Sequence, residues 1–74
     1  MPDQSEWEKQ AANLLKSELK RKGVTYAQLV EKLAAIGLNE KEVNVANKLS
    51  RGKFSAAFML QCLSSISVTD LRLV

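Results

Sequence analysis

The sequence contains no histidine and a single cysteine, Cys62. Transition metals in proteins are held mainly by histidine and cysteine side chains, so we expect no such metal site. The Ser-His-Asp and Cys-His arrangements of hydrolases are excluded for the same reason. A single cysteine also excludes an internal disulfide, and its place on an apolar stripe predicts a buried thiol rather than a reactive one. We therefore expect no enzyme, and no cofactor or small-molecule ligand is evident.

The sequence also lacks a long apolar run. No stretch approaches the roughly 20 apolar residues that a membrane-spanning helix requires, so no membrane partner is expected. The first residues, MPDQSEWEKQ, are polar and acidic, unlike a secretion signal, which begins with basic residues and continues with an apolar segment. A lone cysteine suits a reducing compartment. These features predict a cytoplasmic protein.

The chain has 74 residues, which is enough for one domain. A domain of this size buries only about 60% of the surface that its unfolded chain exposes, so its stability is expected to be marginal. Hydrophobic residues make up 46% of the chain and charged residues 26%, which is ordinary for a folded soluble protein. We expect a single domain over residues 1–74.

The net charge is +3, and the positive charge is concentrated in the middle of the chain. The first eight residues carry three acids and no base, and a basic cluster occupies residues 20–22. Residues 41–53 contain one acid, Glu42, and four bases. These bases are Lys41, Lys48, Arg51 and Lys53. Clustering of this kind, more than net charge, indicates where a nucleic acid would bind.

Three glycines divide the chain into four segments, each with a helical pattern. In the first segment, residues 5–22, Ser5 and Glu8 form a capping-box pattern and Gly23 ends the helix. The bases at residues 20–22 lie in the last turn, where positive charge interacts favourably with the negative end of the helix dipole. Apolar residues at spacings of three and four predict one buried stripe. They are Trp7, Ala11, Leu14, Leu15 and Leu19, with Trp7 covering one end of the core.

The second segment begins at Thr25, with Gln28 in the capping-box position, and ends at Gly37. Its predicted apolar face consists of Leu29, Val30, Leu33 and Ile36. The third segment begins at Asn39, with Glu42 in the equivalent position, and ends at Gly52. Its predicted buried side consists of Val43, Ala46 and Leu49.

The fourth segment begins at Ser55, with Phe54 and Met59 placed as a hydrophobic staple. Its predicted buried stripe consists of Phe58, Cys62, Leu63 and Ile66. In the tail, residues 69–74, apolar and polar residues alternate, which fits either a short strand or a frayed end. Strand patterns are otherwise missing, so the sequence predicts an all-α domain of four helices.

The second and third segments are joined by IGLN, residues 36–39. A turn of about three residues between two helices is typical of a helix-turn-helix, whose second helix enters the major groove of DNA. Gly37 is expected in a left-handed conformation, Leu38 is expected to point inward, and Asn39 is expected to cap the third helix. At about 100° per residue, basic and amide side chains gather opposite the predicted buried side. They are Lys41, Asn44, Lys48 and Arg51, with Asn47 at the margin.

The blocks GVTYAQLVEKL, SRGK and FSAAFMLQCLSSISV resemble the lambda-repressor-like helix-turn-helix domains of phage repressors and bacterial regulators, over residues 14–71. GVTYAQL, NKLSRGKFSAAF and QCL resemble more closely a small bacterial family of stand-alone domains without an established function. The resemblance implies a compact four-helix fold with a central helix-turn-helix.

The sequence departs from the lambda-repressor-like pattern at several positions. The intervals from Thr25 to Gly37 and from Gly37 to Gly52 are each about one turn longer, which predicts an additional turn in both helices. Tyr26 replaces a phosphate-binding glutamine of that family, and Ser67 replaces its glycine after the last helix. The Tyr26 hydroxyl is open to two interpretations, donation to a phosphate or shielding of the core.

Together these patterns predict a DNA-binding protein, a small transcriptional regulator that binds double-stranded DNA as a homodimer, because one unit contacts one half-site. The candidate contacts are Tyr26, Gln28, Lys41, Asn44, Asn47, Lys48, Arg51 and Lys53. The dimer surface would come from the first helix, the fourth helix or the tail. The alternative is a helical protein–protein interaction module that keeps this fold without binding DNA, which the missing glutamine and the modest charge favour.

Overall fold

Four α-helices make up the regular structure of the protein in a computed structural model, which describes residues 4–73 and the side chains of residues 6–73. They are α1 (Gln4–Lys22), α2 (Tyr26–Ala35), α3 (Glu42–Arg51) and α4 (Ala56–Ser65). No strand is present among the described residues, and the alternating tail is irregular as far as residue 73. The predicted all-α class with four helices is therefore confirmed.

The helices enclose one apolar core. Both α1 and α2 pack against α3 and α4. The core cluster consists of Leu15, Leu19, Leu29, Leu33, Val45, Leu49, Phe58, Cys62, Leu63 and Ile66. Every residue of the predicted stripe on α4 belongs to it, so the orientation predicted for α4 is confirmed. Phe54 and Met59, the predicted staple, are partly buried and pack against the same cluster.

Two helices begin with the predicted caps. Thr25 Oγ1 accepts a hydrogen bond from the Gln28 backbone N–H at 3.2 Å, and Gln28 Oε1 accepts one from the Thr25 N–H at 2.9 Å. Ser55 Oγ accepts one from the Phe58 N–H at 3.0 Å. Such caps satisfy N–H groups that have no partner within their helix. The first helix begins at Gln4, one residue before the predicted cap Ser5, whose side chain lies outside the described residues.

Three helices end in the same way. The first residue after α1, and the second residue after α2 and after α4, has a positive φ. The residue after it donates its N–H to a carbonyl five positions earlier, which is the Schellman arrangement. In each pair the second residue is apolar and packs against the core. The pairs are Gly23–Val24, Gly37–Leu38 and Ser67–Val68. The predicted left-handed Gly37 and inward Leu38 are thus confirmed, and Ser67 adopts φ 63° without being a glycine.

The connection between α2 and α3 is longer than the predicted three-residue turn and spans residues 36–41. Asn39 does not cap α3, because Lys41 occupies the N-cap position and its carbonyl accepts from the N–H groups of Asn44 and Val45 at 3.0 and 3.1 Å. The prediction of an additional turn in α3 is wrong, since the additional residues lengthen the connection.

Several predicted core positions are exposed instead. Val43 is 61% exposed, whereas Val45 is fully buried beside Leu49, so the orientation predicted for α3 is wrong at its start. Ile36, at the C-cap position of α2, is 49% exposed, and Leu38 two residues later packs against the core instead. Trp7 is 58% exposed, since burial along α1 begins only at Ala12.

Candidate nucleic-acid interface

The side of α3 that points away from the core carries the candidate site. Val45 and Leu49 are fully buried, four residues apart on the inner side. At 3.6 residues per turn, the opposite side carries side chains that are all exposed. We call this set the outer face of α3. It consists of Val43, Asn44, Asn47, Ser50 and Arg51.

Free bases lie at both ends of the outer face. Lys41 is exposed at the N-cap of α3, Arg51 is exposed in the last turn, and Lys53 is exposed just after Gly52. Within the described part of the chain none of the three forms an ion pair. Their charges are therefore available to an anion.

Lys48 is in a different situation. Its Nζ donates to Glu40 Oε1 at 3.0 Å and to Oε2 at 3.3 Å, and it lies 4.3 Å from the centroid of the Phe58 ring. The expectation that Lys48 is an exposed base opposite the core is therefore wrong. It points sideways from α3 towards α4, and it joins both helices to the connection that precedes α3.

The two candidates on α2 lie on another element, at its first turn. Tyr26 is the first residue of α2, and its half-buried ring packs against the core, which favours the shielding role. Gln28 is exposed, but its side-chain carbonyl is held by the Thr25 N–H. Only its amide nitrogen remains available as a donor.

The end of α3 is held close to α1. Gly52 is buried at φ 68°, and a Cβ atom there would overlap the backbone carbonyl of Glu8. A shallow groove beside this contact is lined by Trp7, Glu8, Ala11, Gly52, Lys53 and Phe54. The close approach of the two backbones determines where Arg51 and Lys53 lie relative to the domain.

Sequence reasoning missed Val43 and Ser50 as members of the outer face. Val43 had satisfied the spacing expected of a buried residue. The available signal was the spacing of Val45, Leu49 and Gly52, which lie on one helix side, and the structure shows that Gly52 approaches Glu8 on that side.

The structure also bears on metal ligation, thiol reactivity and membrane insertion. No group of three histidine, cysteine or acidic side chains is placed to hold a metal ion there. Burial raises the pKa of the Cys62 thiol to about 12, so the thiol is protonated and unreactive at neutral pH. None of the described helices has the length and apolar character needed to cross a membrane.

Comparison with curated proteins and with solved structures gave no match. One family model, described as Domain of unknown function (DUF6471), matches residues 7–71. The matched segment contains α2, α3, α4 and all but the first residues of α1. Since the match spans most of the chain, the protein belongs to the DUF6471 family.

Proposed function

We propose that the protein binds double-stranded DNA as a small transcriptional regulator of the lambda-repressor-like kind, in which α2 and α3 form a helix-turn-helix. The observation that carries the proposal is the outer face of α3. It combines two exposed amide side chains with bases at both ends that form no ion pair among the described residues. The other side of the helix is anchored in the core. The proposal places the protein in the cytoplasm.

Base reading is assigned to the first half of the outer face, which in a helix-turn-helix meets the base edges. The amides of Asn44 and Asn47 have the donor and acceptor pair that matches adenine N7 and N6 in the major groove. The exposed methyl groups of Val43 fit the methyl group of thymine. The face therefore favours A·T pairs over G·C pairs.

Phosphate contacts are assigned to the bases at the ends of the face. Lys41, Arg51 and Lys53 would position the helix on the DNA backbone and carry no sequence information directly. The Tyr26 hydroxyl and the Gln28 amide nitrogen are further candidate donors from the start of α2. Lys48 is left out of the contact set, because Glu40 already neutralises its charge.

The number of free bases gives the proposal a quantitative form. Each neutralised phosphate contributes about −0.9 to the slope of log K against log salt concentration. Three contacts in one copy predict a slope of about −3, and two copies on two half-sites predict about twice that value. The second copy is part of the proposal, since a single half-site of this size gives weak binding.

The experiment is selection of bound sequences from a random duplex library, followed by titration of one selected and one scrambled duplex at several salt concentrations. We expect enrichment of a short A·T-containing half-site and a steep loss of affinity as salt rises. Absence of binding at the lowest salt concentration would overturn the proposal.

One observation favours the alternative, a helical protein–protein interaction module. Val43 and Ile36 are 61% and 49% exposed, and exposed apolar side chains of this size suit a protein partner. The titration separates the two functions, because a protein-interaction module has no reason to bind duplex DNA at any salt concentration.

A further inference from the structure

An apolar groove lies between α4 and the tail. Its lining is Leu60, Leu63, Ser64, Ser67, Val68, Thr69, Asp70 and Leu71. At one side of the groove Leu60 of α4 is 66% exposed. Leu73, beyond the groove, is 64% exposed. Two large apolar side chains thus stand in solvent beside one apolar surface.

The tail that borders this groove has unpaired main-chain groups. Among the described residues, the hydrogen bonds between backbone groups end with the bond from the Val68 N–H to the Leu63 carbonyl at 2.9 Å. Within residues 4–73 the N–H and C=O groups of residues 69–73 form no hydrogen bond to another backbone group. A segment of this kind is a template for pairing with another chain.

The tail is also complementary to itself in charge. Asp70 and Arg72 are both exposed and flank Leu71, which packs against the core. If two tails pair antiparallel about a two-fold axis at Leu71, Asp70 of each copy lies opposite Arg72 of the other. Opposite charges across a strand pair are favourable, and the symmetry produces two such pairs.

The same register accounts for the exposed leucine beyond the groove. If the tail is extended in that pair, alternate side chains share a face, and Leu71 and Leu73 then lie on the same side as Thr69. Leu73 of one copy lies opposite Thr69 of the other, and Thr69 lines the groove. Each Leu73 would therefore reach the groove of the second copy, where Leu60 is exposed.

We propose that the groove between α4 and the tail is a homodimer interface, occupied by the tail of a second copy in antiparallel pairing centred on Leu71. Only the role of the dimer in DNA binding rests on the proposed function: the dimer would present two outer faces of α3 to two half-sites. The interface itself forms without DNA.

The test is sedimentation equilibrium of the whole protein without DNA, over a range of concentrations, with thermal melting of every variant to check its folding. Leu60→Glu should weaken the dimer about a hundredfold or more, because two leucine side chains lose their burial. Trp7→Glu is the control, since it places the same charge on an exposed apolar residue outside the groove.

A charge exchange tests the register. Asp70→Arg should weaken the dimer about three- to tenfold, because it sets two guanidinium groups against each other in both symmetric pairs. Adding Arg72→Asp to that variant should restore the wild-type dissociation constant.

Three results would overturn the inference. One is a wild-type protein that stays monomeric at about 1 mM. Another is a dimer that Leu60→Glu weakens no more than Trp7→Glu does. The third is a folded double variant, Asp70→Arg with Arg72→Asp, whose dimer stays weaker than that of the wild type. A protein that is monomeric without DNA but occupies two half-sites on DNA would overturn this inference alone, whereas a dimer that does not bind DNA would overturn the proposed function alone.

Discussion

The ammonium group of Lys48 lies 4.3 Å from the centroid of the Phe58 ring, and the same group is paired with Glu40. Phe58 is buried on α4, while Glu40 belongs to the connection between α2 and α3. One side chain therefore joins three parts of the domain around the start of α3. The outer face of α3 depends on this arrangement, although Lys48 is not part of that face.

Lys48→Met should destabilise the domain by about 1–2 kcal/mol, because it removes a cation–π contact and a partly exposed ion pair while it keeps the aliphatic part of the side chain. Arg51→Met is the matched control. It changes an exposed base on the same helix that forms no ion pair within residues 4–73, and it should alter stability by less than about 0.5 kcal/mol. Urea unfolding monitored by circular dichroism measures the free energy of unfolding of both variants. An equal loss of stability in the two would show that the contacts of Lys48 do not stabilise the domain.

Gly37 and Gly52 should respond differently to alanine, although both have positive φ. At Gly37 a Cβ meets no atom within 4 Å, so only backbone strain remains, about 1–2 kcal/mol. At Gly52 the Cβ would also overlap the Glu8 carbonyl, which adds about 1–3 kcal/mol as α1 moves away. Thermal melting of the two variants checks the order, and an equal loss would show that α1 and α3 do not approach each other closely.

Ser67→Gly should stabilise the domain by about 0.5–1 kcal/mol. Ser67 has φ 63°, where a non-glycine residue is strained by about 1–2 kcal/mol, and the gain is reduced by the greater freedom of glycine in the unfolded chain. For a domain of this size that gain raises the melting temperature by about 4 °C.

Ser64→Gly provides the control for this prediction. Ser64 is an exposed residue inside α4, where glycine lowers helix stability by about 0.5 kcal/mol. If both variants melt at lower temperatures than the wild type, the left-handed conformation of Ser67 is wrong.

The helices, the caps at Thr25 and Ser55 and the glycine turns were predictable, because each is encoded by residues within one or two turns of chain. The start of α3 was not predictable from the sequence. Asn39 and Glu42 form a capping-box pattern, yet Glu40 instead pairs with Lys48 eight positions later. Local pattern carries no information about that contact.

The orientation of α3 was missed for a related reason. The helix has few apolar residues, and both Val43 and Val45 fit a stripe that includes Leu49. The choice is made by packing, since Gly52 must face α1 and only the stripe through Val45 brings it there. Either stripe, through Val43 or through Val45, directs Asn44, Asn47 and Arg51 away from the core. Most of the predicted contact residues on α3 are therefore exposed in the structure.

The sharpest test of function compares phosphate and base contacts on the outer face. Arg51→Ala combined with Lys53→Ala should weaken binding to selected and scrambled duplexes alike and make the salt slope shallower by about two units for each copy that binds. Asn47→Ala should leave the slope unchanged and reduce the preference for the selected duplex by about 1–3 kcal/mol. Fluorescence anisotropy titrations at several salt concentrations measure both quantities. If folded Asn47→Ala keeps its full preference and the double variant keeps the wild-type slope, α3 is not the recognition helix, and the protein-interaction function becomes the better account of its exposed face.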